Sequence, residues 1–306
     1  MARIILFGYP TSPYFQKIIL VLNFLRLPYS TCAQPRMLPR PDLASLGITY
    51  RRIPIASIDG HVYADTSLII ARLCGEAGVS NDNVTEAMGA ALFPYCAMLI
   101  PYELIADPAF LRDRSALTGR PWTEESVVRQ RGFALAQFRG YLATLTGLLE
   151  VGGGTVRRGG RVTMADLHLA FVVQWVLFGH RGTGQDVSPD SHPVIYAWLK
   201  RVQSAVATQQ KPGKVSFADV REELVRPSKR ALEHDERDPS QLKVGAKVAV
   251  TPTDTGKSHP QVGELLAIND SEVCLKTSGG VTISFPRINY VVGPVSQIRA
   301  VRMQVA

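Results

Sequence analysis

The sequence predicts a small α/β domain with a mixed sheet over residues 1–80, an all-α helical bundle over 86–210, and a small β-barrel-like domain over 241–306. A charged linker or helix at 211–240 separates the last two. Three observations carry this division. The first 80 residues alternate short apolar runs with one helical repeat and end in a hairpin signal; residues 86–209 are almost purely helical in period; and after Leu242 five short β-rich runs follow one another.

Ile4 to Phe7 is a short apolar run closed by Gly8, Pro10 and Pro13, and Phe15, Ile18, Ile19, Val21, Leu22 and Leu25 then recur at helical spacing. This is strand, loop, helix. A second strand at Tyr29 to Ala33 gives way to a loop rich in proline and arginine: Pro35, Arg36, Pro39, Arg40 and Pro41. Ile53 to Ile58, the dipeptide Asp59-Gly60, and His61 to Tyr63 read as an antiparallel hairpin, because Asp-Gly suits the positive φ of a tight turn. A helix follows from Asp65 or Thr66 through Leu73. The order β-α-β, loop, β-β-α is that of a mixed-sheet α/β unit.

Helical periodicity covers 87–105, 124–149, 163–178 and 193–207, with glycine-rich breaks at 152–154 and 179–184. Residues 210–240 hold seven acidic and seven basic side chains, which suits an exposed segment. The five later runs, 247–251, 261–268, 272–276, 281–285 and 290–292, are separated by Gly, Pro, Asn and Asp and predict a tightly bent sheet or barrel.

The chain has 306 residues, 46% hydrophobic and 20% charged, enough for two or three globular domains and unlike a disordered protein. Its net charge of +8 is dispersed: residues 1–80 carry eight basic and four acidic side chains, and 241–306 seven and four. Without a basic patch, no nucleic-acid partner is expected. The apolar start is short and broken by proline, which predicts a cytoplasmic protein. The most apolar region, 87–105, carries Pro94, Pro101 and Glu103, so no membrane partner is expected either. Cys32, Cys74, Cys96 and Cys274 are far apart and form no C-x-x-C pair, which predicts reduced thiols and no metal site.

Three segments carry chemistry. In Tyr9-Pro10-Thr11-Ser12-Pro13-Tyr14-Phe15, a helix start offers unpaired N–H groups and partial positive charge to an anion such as a thiolate. Ser12 is the leading hydroxyl to stabilise that thiolate, with Tyr9, Thr11 and Tyr14 as alternatives; the same Ser-Pro also serves as a plain helix cap. In Arg51-Arg52-Ile53-Pro54-Ile55, a cis Ile53–Pro54 bond would turn the Ile53 backbone toward an extended peptide ligand. In Asp65-Thr66-Ser67, backbone N–H groups and a hydroxyl suit a carboxylate, and Asp65 an ammonium group. A thiolate holder, a backbone clamp and a zwitterion pocket together match glutathione.

The run S-P-Y-F-x-K-I, then R-I-P-I, the Asp-Gly hairpin and D-T-S-L-I-I resemble the N-terminal half of the glutathione transferase superfamily. Thr163-Met164-Ala165-Asp166 resembles its S/T-x-x-D capping box, and His192-Pro193 with Ala197-Trp198-Leu199 its last bundle helix, so the resemblance spans about residues 3–210. It implies a thioredoxin-like first domain. It also implies that Ser12 holds the glutathione thiolate, Ile53 before Pro54 pairs by backbone with the cysteinyl part, and Asp65 with Thr66 binds the γ-glutamyl end. Arg52 stands where the family often places Lys or Gln near the glycyl carboxylate, and Arg36 and Arg40 are further anion contacts.

The implied activity is transfer of glutathione to a hydrophobic electrophile, with Phe93, Tyr95, Met98, Tyr102 or Trp122 as substrate contacts. A glutathione-dependent cis-trans isomerase of a conjugated molecule and a non-catalytic binding scaffold are the alternatives. A homodimer is compatible with the family. P-R-P-D-L and Y-R-R-I-P-I resemble a fungal branch with a C-terminal extension, which points to secondary metabolism. The extension itself is expected to be structural or assembly-related.

Overall fold

A computed structural model describes residues 2–208 and 211–296, so the last ten residues of the predicted β-rich unit lie outside the described residues. Strand β1 (Ile4–Gly8) is buried along its whole length, as its unbroken apolar run requires. It pairs in parallel with β2 (Tyr29–Ala33) and antiparallel with β3 (Ile55–Ile58), which forms a hairpin with β4 (His61–Ala64). The hairpin turns on Asp59 and Gly60 at φ 50° and 83°, both positive, as the Asp-Gly signal demands. Helix α1 (Pro13–Leu25) crosses from β1 to β2, and the predicted loop before β3 contains a short helix, α2 (Pro41–Ser45). Helix α3 (Thr66–Ala77) follows β4.

The bundle comprises α4 (Asn83–Met98), α5 (Pro108–Thr118), α6 (Glu124–Gly152), α7 (Met164–Gln174) and α8 (Pro193–Val206). The predicted 87–105 helix begins earlier, capped by Asp82, and ends at Met98, short of Pro101. Helix α5 escapes the sequence reading because it buries only Phe110 and has no apolar stripe. The expected capping box at Thr163 is present. Asp166, fully buried, accepts from Thr163 N–H (2.9 Å), Val156 N–H (2.8 Å) and Trp198 Nε1 (2.9 Å), which locks α7 to α8.

The charged segment is ordered: β5 (Gly213–Lys214) pairs with β2, and α9 (Phe217–Val225) buries Val220 and Leu224. The five predicted strands follow as β6 (Lys247–Pro252), β7 (Gln261–Ile268), β8 (Glu272–Lys276), β9 (Thr282–Pro286) and β10 (Tyr290–Pro294). They form an antiparallel array in the order β10-β6-β7-β8-β9, and β9 lies parallel on β4 with Val62 opposite Ile283 and Tyr63 opposite Ser284. Among the described residues the β-rich region thus continues the N-terminal sheet to ten strands.

One hydrophobic cluster runs through both parts, joining Ile5, Phe7 and Val62 to Val250, Ile283 and Phe285. The opposite face of the sheet is covered by α1, α3 and the bundle. Covering the edge of β4 removes a row of unpaired backbone groups, and lets about 60 residues of β structure share a larger core. His61 staples the seam, its Nε2 2.9 Å from Ser284 Oγ and its Nδ1 2.9 Å from Ser228 Oγ.

Candidate functional site

Ser12 is the N-cap of α1, with Pro13 at the first helical position. Its Oγ accepts from Phe15 N–H at 3.3 Å, a capping bond that uses a lone pair and leaves the hydroxyl hydrogen free to donate. The residue is 4% exposed, so a donor held there acts in largely desolvated surroundings. Thr11 is exposed on the loop and Tyr9 half-buried. Tyr14 packs its ring 4.6 Å from Phe93 and 5.6 Å from Phe171. Burial raises its phenol pKa, with the Asp65 carboxylate adding to the effect, so it stays protonated.

The Ile53–Pro54 bond is cis, and the paired ladder with β1 and β4 begins two residues later at Ile55. The Ile53 backbone therefore precedes the sheet's own hydrogen bonding. Its neighbour Arg51 reaches into the bundle, with Nη2 3.0 Å from Asp113 Oδ1 on α5. Arg36 and Arg40, the further anion contacts of the sequence reading, both engage groups of this chain. Arg40 is buried and donates to the Pro35 carbonyl (3.0 Å) and the Arg51 carbonyl, and burial lowers its pKa to about 10. Arg36 lies 3.9 Å over the Phe110 ring. Both brace the loop.

Asp65 is the N-cap of α3 at φ 71° and ψ 137°, a conformation that costs energy in a non-glycine residue and that concentrates at functional sites. Its Oδ1 accepts from Ser67 N–H (3.0 Å) and Ser67 Oγ (2.9 Å). Thr66 opens the helix and is buried, and the hydroxyl that donates to Asp65 is that of Ser67. Oδ2 faces the other way, accepting from Tyr290 Oη (2.8 Å) and lying 3.7 Å from Arg52 Nη1.

Tyr290 is on β10, and its hydroxyl is also 2.6 Å from Tyr50 Oη. Arg52 is completed by the same region: Nε donates to the Thr255 carbonyl (3.1 Å), and Nη2 pairs with Asp254. Burial opposes the charge on Arg52, but the oxygens of Tyr50, Tyr290 and Asp254 outweigh it and raise its pKa. Burial pushes the Tyr50 and Tyr290 phenols up. The C-terminal strands thus reach Asp65 and Arg52 directly, so the extension touches the residues that the resemblance assigns to the ligand. Sequence alone gives no signal for this, because Asp65 and Tyr290 are 225 positions apart.

On the bundle side, Phe93 stacks on Trp175 (5.4 Å) beside Tyr14 and so lies next to the α1 start. Tyr95 instead packs on Phe133 and Tyr141 of α6. Beneath α1, Lys17 Nζ pairs with Glu86 Oε1 at 2.9 Å and ties the sheet domain to the bundle, where His168 Nε2 meets Asn81 Oδ1 at 2.7 Å. All four cysteines are buried free thiols. Among the described residues no cluster of His, Cys, Asp and Glu is arranged to hold a metal, and no helix is long and apolar enough to cross a membrane.

A thioredoxin-like sheet with a hydroxyl at the α1 start and an acidic cap after the β3–β4 hairpin, followed by a helical bundle, defines a glutathione transferase fold. Residues 6–81 match the family described as the glutathione S-transferase N-terminal domain, and residues 95–211 match a domain of unknown function. A GST-like protein from Pseudomonas syringae superposes with a TM-score of 0.74 at 22% identity, covering 96% of this chain and 100% of its own. A glutathione S-transferase from Pseudomonas fluorescens gives 0.47 at 20% identity, over 66% of this chain and 94% of its own. A glutathione transferase homolog from Drosophila mojavensis with bound glutathione gives 0.44 at 19%, over 70% and 100%. No functionally curated protein matches by sequence. The chain therefore has the glutathione transferase fold, and its first domain matches the glutathione S-transferase N-terminal family over residues 6–81. The Pseudomonas syringae structure spans the β-rich extension as well, so that feature is not confined to a fungal branch.

Proposed function

We propose that this chain is a glutathione-dependent transferase in which Ser12 donates a hydrogen bond to the glutathione thiolate and the α1 N-terminus supplies partial positive charge. The thiolate would attack an electrophilic carbon, forming a C–S bond as the leaving group departs with its electron pair. The observation that carries this reading is the buried Ser12 hydroxyl, whose capping bond leaves its hydrogen unused at a helix start. Asp65 and the α3 start suit the zwitterionic γ-glutamyl end, and the Ile53 backbone, lying outside the ladder, suits the cysteinyl amide. Phe93 and Trp175 offer a flat apolar wall to the electrophile.

The test is glutathione conjugation to an activated aryl halide by the wild type and by Ser12→Ala. Wild-type turnover with a loss of about 10- to 1,000-fold in the variant and little change in glutathione affinity supports the reading. Equal turnover would shift the role to another hydroxyl of the loop.

A further inference from the structure

The loop between β6 and β7 is pinned on both sides of the pocket. Thr253 N–H donates to the Asn289 carbonyl (2.9 Å) at the start of β10, and Gly256 N–H donates to the Leu117 carbonyl (2.7 Å) in the last turn of α5. Gly256 has φ +75°, and a Cβ there would come within 3.2 Å of Arg51 Cγ, so the turn is fitted closely against the Arg51-Arg52 segment. Between these anchors stand Asp254 and Thr255, whose carboxylate and carbonyl engage Nη2 and Nε of Arg52. The third nitrogen faces Asp65 at 3.7 Å. Every nitrogen of the guanidinium therefore meets an oxygen of this chain. The Asp254 side chain is 62% exposed while Arg52 is 21% exposed, so Asp254 reaches the cation from the solvent side, the side from which a ligand arrives.

We propose that Asp254 is a specificity-determining residue, an internal carboxylate seated on Arg52 that competes with the terminal carboxylate of the ligand. Building on the glutathione reading above, the site then gains little from the free glycyl carboxylate and accepts peptide thiols whose far end is neutral about as well. An ion pair so exposed is weakly held, and exchanging one carboxylate for another on the same guanidinium brings almost no net attraction. Removing Asp254 leaves Arg52 with Thr255 and Asp65 and frees an outer N–H of Nη2 to take the ligand carboxylate in a charge-assisted hydrogen bond.

Calorimetric titration of the full chain with glutathione and with its glycyl monoethyl ester tests this. The wild type should bind the two within about twofold of each other, whereas Asp254→Ala should bind glutathione about 3- to 10-fold more tightly with no change for the ester. In an Arg52→Ala background the Asp254 substitution should alter neither. Glutathione binding to Asp254→Ala alone, with a silent wild type, would also support the proposal. An unchanged preference in Asp254→Ala, or a wild type that already prefers glutathione about tenfold, would overturn the proposal and leave the glutathione reading standing. Absence of binding by either ligand to either protein would sink both.

Discussion

Asp65→Asn separates recognition from folding at the pocket. Asparagine caps helices as well as aspartate does and tolerates positive φ, so the bond from Ser67 N–H (3.0 Å) and the backbone at φ 71° survive. What disappears is the negative charge opposite Tyr290 Oη (2.8 Å) and Arg52 Nη1 (3.7 Å). Turning a charge-assisted hydrogen bond into a neutral one costs about 1 kcal/mol, the expected loss of folding stability. A ligand ammonium that paired with the carboxylate would lose about 1.5–3 kcal/mol, or about 10- to 150-fold in affinity. Asp65→Ala adds the lost cap, about 1 kcal/mol more of stability, with a similar effect on binding. Guanidinium denaturation gives the first quantity and calorimetric titration with glutathione the second. Wild-type affinity in Asp65→Asn, or an affinity loss only as large as the stability loss, would refute the zwitterion pocket.

Further expectations follow from other contacts. Tyr290→Phe removes the link between β10 and Asp65 and should weaken glutathione binding about 3- to 10-fold without altering secondary structure by circular dichroism; unaltered affinity would mean that the extension touches the pocket without shaping it. Gly89→Ala places a Cβ 2.3 Å from the His168 carbonyl where α4 meets α7, and should cost about 1–3 kcal/mol in chemical denaturation; a neutral result would contradict the tight helix crossing. His61, His168 and His180 are lowered by burial to about 4 from 6.5, so below pH 6.5 the unfolded chain binds protons that the folded chain refuses. Stability should therefore be fully present above pH 6.5 and fall between pH 6.5 and 4, and a denaturation midpoint unchanged between pH 7 and 5 would contradict the buried neutral histidines.

Much of this fold is legible because its signals are local. The Asp59-Gly60 turn, the Ser12-Pro13 helix start and the Thr163 to Asp166 box each depend on neighbours within four residues, and each is found as read. The five C-terminal strands were legible for the same reason, their alternating runs being bounded by turn residues. What the sequence could not express is which edge those strands seek. The β4–β9 pairing joins residues about 220 apart in the chain through two register pairs, and no local pattern encodes it. The contacts of Arg52 and Asp65 with Asp254 and Tyr290 follow from that pairing, so they were hidden together. Helix α5 was missed for a different reason: only Phe110 is buried, so its apolar period is too weak to read. The partners of the loop arginines, the Pro35 carbonyl for Arg40 and the Phe110 ring for Arg36, were hidden for the same reason, since no local pattern names them.

The most direct measurement is the ionisation of glutathione bound to the protein, followed by the ultraviolet absorbance of the thiolate as pH is varied. A free thiol titrates near pH 8.5, and one held at a helix N-terminus by a hydroxyl donor should be half-ionised at about pH 7.5 or below. The account predicts that lowered titration in the wild type and its return toward the free value in Ser12→Ala, whose loss of the cap to Phe15 should cost only about 1 kcal/mol in stability. A bound thiol that titrates as it does in free solution, or one whose ionisation is the same in Ser12→Ala, would contradict a transferase site built on Ser12.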